Sequence, residues 1–205
     1  MTIRLHLTAA PIHTLGPFSR FGVWVQGCCR GCPGCITPDA QPMDGGYEME
    51  VADLATLILR YPEVEGLTIS GGEPFLQSDA LCTLIRRVRQ IAPLGVIVYT
   101  GFTFEEIQDN PLTDLCDAII DGPYLAELND ERSLRGSSNQ RLILLSSRYE
   151  GLIPFGTVQR QTEWVQPTGG GLAQVGIPSQ QDIQKACSLQ SSLQRKCATW
   201  ETETC

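Results

Sequence analysis

Four cysteines fall within eight residues of the 205-residue chain: Cys28, Cys29, Cys32 and Cys35. Thiolates are soft ligands, so thiols packed this closely raise first the question of a metal. Gly27, Gly31 and Gly34 lie among them and let the backbone turn tightly. Two centres compete. Structural zinc takes four ligands, commonly as two Cys-x2-Cys pairs. Only one such pair is present, and the two histidines, His6 and His13, both precede the loop. Iron–sulfur clusters accept thiolates at irregular spacings such as Cys28-x3-Cys32-x2-Cys35. Cys29 is a possible fourth ligand, but adjacent residues reach one cube only with strain. The expectation is a cluster on three thiolates with one iron left open. An open position is what a metal needs to bind a ligand rather than only to carry electrons. Zinc, or a plain redox cluster, is the competing reading.

The second chemical signal is Ile69-Ser70-Gly71-Gly72-Glu73-Pro74. It places a glycine pair, a carboxylate and a turn-setting proline after an apolar run. Ligands of parallel sheets bind at the carboxyl ends of strands, where glycines allow close backbone approach. Glu73 is an acceptor suited to a ligand ammonium. Taken alone, the segment is equally well read as the loop that starts a helix.

Elements must hold these residues in place. Alternation at Ile3, Leu5 and Leu7 predicts a strand. Phe21–Gln26 is a second strand that runs into the cysteine loop, and 39–47 is loop. Val51, Leu54, Leu57 and Ile58 have helical spacing, closed by Pro62. Gly66–Ser70 is a strand. Ser78–Ile91 is a helix with Leu81, Leu84, Ile85, Val88 and Ile91 along one side. Gly95–Tyr99 is a continuous apolar run, the pattern of a strand buried on both faces. Phe104–Gln108 is a short helix, and Ala118–Asp121 and Arg141–Leu145 are strands. This alternation predicts an α/β fold with a parallel sheet and right-handed crossovers. After Tyr149 the rhythm is lost, and Gly169–Gly171 marks a turn. Residues 179–205 are rich in Gln, Ser and Thr, and are read as a partial helix over Gln180–Leu193 and a tail. The domain reading is therefore a core over 1–178 and an appendage over 179–205.

Composition narrows the function classes. The net charge of -8 argues against a general nucleic-acid binder. Thirteen of the fifteen basic residues are Arg, the others being Lys185 and Lys196. No apolar run is long enough for a membrane span, and the N-terminus lacks the features of a signal peptide. Nine cysteines, an odd and clustered set, fit a reducing compartment better than a disulfide framework, so the expected setting is cytoplasmic. Cys82 and Cys116 read as small buried hydrophobes.

Cys28-x3-Cys32-x2-Cys35 followed by Gly71-Gly72-Glu73-Pro74 resembles the signature of the radical S-adenosylmethionine (SAM) superfamily. The resemblance implies a [4Fe-4S] cluster on Cys28, Cys32 and Cys35 whose open iron binds SAM. It implies a partial (βα) barrel with largely parallel strands. It also implies SAM contacts from Gly34, Gly71, Gly72, Glu73, Pro74 and Thr100. Further segments are similar to the branch that activates glycyl radical enzymes: Tyr99-Thr100-Gly101-Phe102, Asp121-Gly122-Pro123-Tyr124 and Arg135–Arg141. The likeness spans roughly residues 10–145. That branch implies reductive cleavage of SAM to a 5′-deoxyadenosyl radical, which takes a hydrogen from a partner glycine. The partner implied is a glycyl radical enzyme such as anaerobic ribonucleotide reductase, with flavodoxin or ferredoxin as electron donor. No side chain is required as a catalytic base. The chain departs from the branch at Ile36, where an aromatic is usual, at Cys29, and in a C-terminal extension carrying Cys187, Cys197 and Cys205. These departures keep open a radical SAM enzyme that modifies a peptide or small molecule directly.

Overall fold

The computed structural model describes residues 1–179. The helix expected over Gln180–Leu193 and the cysteines Cys187, Cys197 and Cys205 lie outside the described residues. Nine strands and three α-helices are present among the described residues. The strands are β1 (Thr2–Ile12), β2 (Arg20–Val25), β3 (Tyr47–Glu50), β4 (Gly66–Gly71), β5 (Gly95–Tyr99), β6 (Ala118–Asp121), β7 (Arg141–Leu144), β8 (Thr162–Val165) and β9 (Ala173–Gly176). The helices are α1 (Val51–Ile58), α2 (Ser78–Arg89) and α3 (Phe104–Ile107).

Seven strands form one sheet in the order β3-β1-β2-β4-β5-β6-β7. Its centre, β2-β4-β5-β6, is parallel throughout. Its flanks are antiparallel: β1 pairs with β2 and β3, and β7 pairs with β6. The sheet is thus mixed, and the expectation of largely parallel strands holds only for the centre. The physical reason is local. β1 alternates buried with part-exposed residues along much of its length, the habit of an antiparallel strand with one wet face. All of β2 is buried, as a central parallel strand requires.

Period-two alternation sorts the central strands onto two faces. Phe21, Val23, Val25, Leu67, Ile69, Val96, Val98 and Ile119 point to one side. There they pack with Val51, Leu54 and Ile58 of α1 and Leu81, Leu84, Ile85 and Val88 of α2. Asp79 opens α2 and Arg86, Arg87 and Arg89 close it, so charge complements the helix dipole at both ends. Ile91, assigned by its spacing to the apolar side of α2, lies past the end of the helix and is 72% exposed. Cys82 and Cys116 are buried among apolar neighbours, as expected.

Arg20, Trp24, Thr68, Ile97, Tyr99, Ala118 and Ile120 point to the opposite face. Arg20 is fully buried there and has no carboxylate partner among the described residues. It donates instead to Thr68 Oγ1 (2.6 Å), Tyr149 Oη (2.8 Å) and the Leu67 carbonyl (2.5 Å). The hairpin β8–β9 forms a second small sheet over this face and docks on β1 through Thr168 N–H to the Thr8 carbonyl (2.9 Å). It falls where the sequence loses its rhythm.

Candidate metal and cofactor site

The cysteine loop leaves β2 and is pinned at both ends. Gly27 N–H donates to the Ala40 carbonyl (2.8 Å) and Cys28 N–H to the Gln41 carbonyl (2.9 Å). Inside the loop, Cys35 N–H donates to the Cys32 carbonyl at 3.1 Å. Gly27, Gly31 and Gly34 all have positive φ, which is why glycines punctuate the thiols. Cys28, Cys32 and Cys35 are half-buried free thiols that line one cleft. Cys29 is exposed and lies outside that lining. Burial pushes the Cys28 thiol up, partly offset by the Arg30 N–H, which reaches its sulfur at 3.4 Å. Among the described residues, no three His, Cys, Asp or Glu side chains stand close enough to hold a single metal ion. Three thiols that line one cleft without closing on a single point suit the corners of a cluster rather than one tetrahedral ion.

A second part of the cleft begins at the end of β4. Gly72 N–H donates to the Val25 carbonyl and Glu73 N–H to the Gly27 carbonyl, each at 2.8 Å. A Cβ on Gly72 would stand 2.2 Å from the Gly27 carbonyl oxygen and 2.8 Å from that of Ala40. The second glycine therefore lets the strand end lie directly against the root of the cysteine loop. Thr37 closes the same contact by donating its hydroxyl to the Gly71 carbonyl (3.1 Å).

Glu73 is 1% exposed. Its Oε1 accepts from Thr100 Oγ1 (2.7 Å) and Phe75 N–H (3.1 Å), and its Oε2 from Gly101 N–H (2.9 Å). Burial pushes its carboxyl above the usual range, against the pull of these donors and of the Arg30 charge. The carboxylate thus ties the end of β4 to the end of β5 while still lining the cleft. Pro74 is buried at the start of the 3-10 turn Pro74–Gln77 and sets the backbone behind Glu73.

The segments after β5, β6 and before β7 form one hydrogen-bonded wall. Gly122 N–H donates to the Phe102 carbonyl (2.8 Å), and Gln140 Nε2 to the Gly122 carbonyl (3.0 Å). Gly136 N–H donates to Gln140 Oε1 (2.7 Å) and Asn139 Nδ2 to the Pro123 carbonyl (2.8 Å). Asp121, fully buried, receives Arg141 in a forked pair (3.1 and 2.5 Å) and Phe104 N–H (2.7 Å). Three segments far apart in sequence are thus one structural unit.

Of the residues expected at the site, the cleft brings together Cys28, Cys32, Cys35, Gly71, Gly72, Glu73 and Thr100. Gly34 and Pro74 stand outside the lining; a Cβ added at Gly34 would meet Ala126 and Tyr124 at 3.6 and 3.7 Å. Sequence reading missed Arg30, Thr37, Gln41, Trp24 and Ile177, which also line the cleft. Arg30 carried a visible signal, as the lone cation among the loop cysteines. Trp24 followed from strand parity. Ile177 carried none, because it arrives with the hairpin.

Comparison with known sequences gives the family. The sequence pattern of the 4Fe-4S single cluster domain matches residues 14–143, and the chain belongs to that family. The chain is similar to the anaerobic ribonucleoside-triphosphate reductase-activating protein of Salmonella typhimurium. The two are 30% identical over 135 residues, 61% of this chain and 88% of that protein. The protein of that name from Enterobacteria phage T4 is 30% identical over 132 residues, 62% of this chain and 85% of its own. The pyruvate formate-lyase-activating enzyme of Listeria monocytogenes is 39% identical over a shorter stretch of 71 residues, 32% of this chain and 29% of that enzyme. The resemblance to activating enzymes of glycyl radical proteins drawn from the motifs is therefore borne out.

Proposed function

We propose that the chain is a radical SAM enzyme that installs a glycyl radical on a partner protein, with anaerobic ribonucleotide reductase the favoured partner. The observation that carries this reading is the convergence of Cys28, Cys32 and Cys35 with Gly71, Gly72, Glu73 and Thr100 on one cleft, in a chain similar to activating proteins over most of their length. When bound, the cluster and SAM supply one-electron cleavage of a sulfonium, giving methionine and a 5′-deoxyadenosyl radical.

The chain's own residues have simpler tasks. Cys28, Cys32 and Cys35 hold the cluster and leave one corner free. Gly71 and Gly72 bring backbone polar groups close to the ligand because no side chain intervenes. Glu73 and Thr100 fix the two strand ends at the separation the ligand needs, with the carboxylate available to an ammonium. Gly34 and Pro74 shape the backbone at either side. Trp24, Tyr99 and Leu15 supply an apolar floor that excludes water. No side chain takes a proton in the chemical step.

The fold we infer is the partial barrel of this superfamily, with the face bearing Trp24 and Tyr99 as its interior. The catalytic unit is 1–178, with 179–205 as an appendage. A flavodoxin or ferredoxin is the fitting donor, and a reducing cytoplasm suits three free thiols. Among the described residues, no helix is long and apolar enough to cross a membrane.

The test is anaerobic reconstitution with iron and sulfide, followed by SAM and a reductant. The wild type should take up about four irons and release 5′-deoxyadenosine, and Cys32→Ala should do neither. With the reductase partner, electron paramagnetic resonance should detect a glycyl radical on the partner. Cleavage without a radical on a competent partner rejects the activating role.

A further inference from the structure

Resting on the cluster reading above, we propose that Arg30 sets the reduction potential of that cluster as a fixed positive charge, and that Glu106 moderates it. Arg30 lies between Cys28 and Cys32 and lines the same cleft. Its own N–H contacts Cys28 Sγ at 3.4 Å, so its backbone is tied to the cysteine loop. Its side chain crosses to the end of β5. The guanidinium carbon stands 4.8 Å from the centre of the Phe102 ring. A Cβ on Gly101 would come within 3.0 Å of Arg30 Cγ, so the bare backbone there seats the arginine stem. The charge is held in place by stacking and not by a tight ion pair.

Neutralisation of that charge is incomplete. Its carboxylate partner Glu106 is 3.7 Å away with a 46% exposed side chain. The other Glu106 oxygen, Oε2, accepts from Thr103 N–H (2.6 Å) and the Thr103 hydroxyl (3.0 Å). An exposed pair at that length is screened by water and salt. The arginine side chain is only 26% exposed, and its field reaches Glu73, where it opposes in small part the burial that holds that carboxyl above the usual range.

Reduction transfers one electron from an external low-potential carrier to the cluster. No bond forms or breaks in that step, and the cluster gains one negative charge. A nearby fixed cation stabilises the more negative state and so raises the potential. Removing Arg30's charge should lower it. Removing Glu106's charge should raise it, because the cation is then less neutralised. A merely structural role, acting through a loosened loop and entry of water, would not give opposite signs to the two.

The experiment is an anaerobic redox titration of the reconstituted full chain, followed by electron paramagnetic resonance with dithionite as reductant. Wild type, Arg30→Gln, Arg30→Lys and Glu106→Gln are compared. Gln at 106 keeps an acceptor for Thr103 and preserves the helix start. The midpoint should fall in Arg30→Gln, stay near wild type in Arg30→Lys and rise in Glu106→Gln. A midpoint in Arg30→Gln at or above wild type overturns the proposal, as does one in Glu106→Gln at or below wild type. Should Arg30→Gln take up no iron, Glu106→Gln alone decides by the same criterion. A wild type that binds no iron instead rejects the cluster reading itself, so the two failures are distinct.

Discussion

Glu73 carries two duties at one carboxylate. It satisfies three donors from two strand ends, and it faces the cleft through a burial that raises its proton affinity. Glu73→Gln places an amide NH2 against at least one of those donors. The cost should be about 1–3 kcal/mol of stability, the penalty of a buried polar group left unpaired. The pH dependence has a definite sign. The folded state holds the Glu73 proton more tightly than the unfolded state, so this group's contribution is full below the ordinary glutamate pKa and is lost as pH rises through the raised value. The gap in unfolding free energy between wild type and Glu73→Gln, measured by urea titration, should be widest in acid and narrow toward neutral pH. A gap that widens with pH contradicts the account. Sequence reading identified Glu73 as a ligand-facing acceptor. Its strand-joining role was not legible, because the partners Thr100 and Gly101 are distant in sequence.

At the scale of elements, the junction of β4 with the cysteine loop is the part that positions chemistry. Gly72→Ala would set a methyl against two backbone carbonyls, so the backbone itself would have to shift. Overpacking of this kind should cost about 1–3 kcal/mol and should lower iron uptake on reconstitution. Gly169→Ala is the control: a Cβ there meets nothing within 4 Å, so stability should change by no more than about 0.5 kcal/mol. Equal effects in a thermal melt would refute the junction's importance. In α2, Leu84 is fully buried in the core that the helix shares with α1 and the sheet, and Leu84→Ala should cost about 2–5 kcal/mol in the same assay. These elements were readable because their signals are local. α2 has helical spacing of Leu81, Leu84, Ile85 and Val88, and β5 is a continuous apolar run. β3 and β8 were not readable. Tyr47–Glu50 and Thr162–Val165 are short and polar, and gain their strand conformation from partners elsewhere. The β8 residue Glu163 caps the His13 and Thr14 amides (2.5 and 2.8 Å) across the whole length of the core, a contact no local pattern reveals.

The whole molecule divides its sheet by purpose. One face of the parallel centre carries two helices and the apolar core, and the other carries the cleft. The carboxyl ends of β2, β4, β5 and β6 all open toward that cleft, which is where a parallel sheet presents its loops to a ligand. Because the α/β alternation and the order of the cysteine and Gly-Gly-Glu-Pro segments are written in consecutive residues, the class of site was legible. The antiparallel flanks and the covering hairpin depend on pairing across the fold and were not. With the machinery assigned to 1–178, a chain ending at Pro178 should take up iron like the full chain. Loss of iron uptake in that truncation would move the boundary.

The central claim is that three thiolates hold a cluster whose fourth corner binds SAM. The most direct measurement is the electron paramagnetic resonance spectrum of the anaerobically reconstituted, reduced protein, recorded with and without SAM alongside a metal count. The account predicts a four-iron cluster whose signal changes on SAM addition and is absent in Cys32→Ala. Bound zinc, or a cluster signal that SAM leaves unchanged, would contradict it.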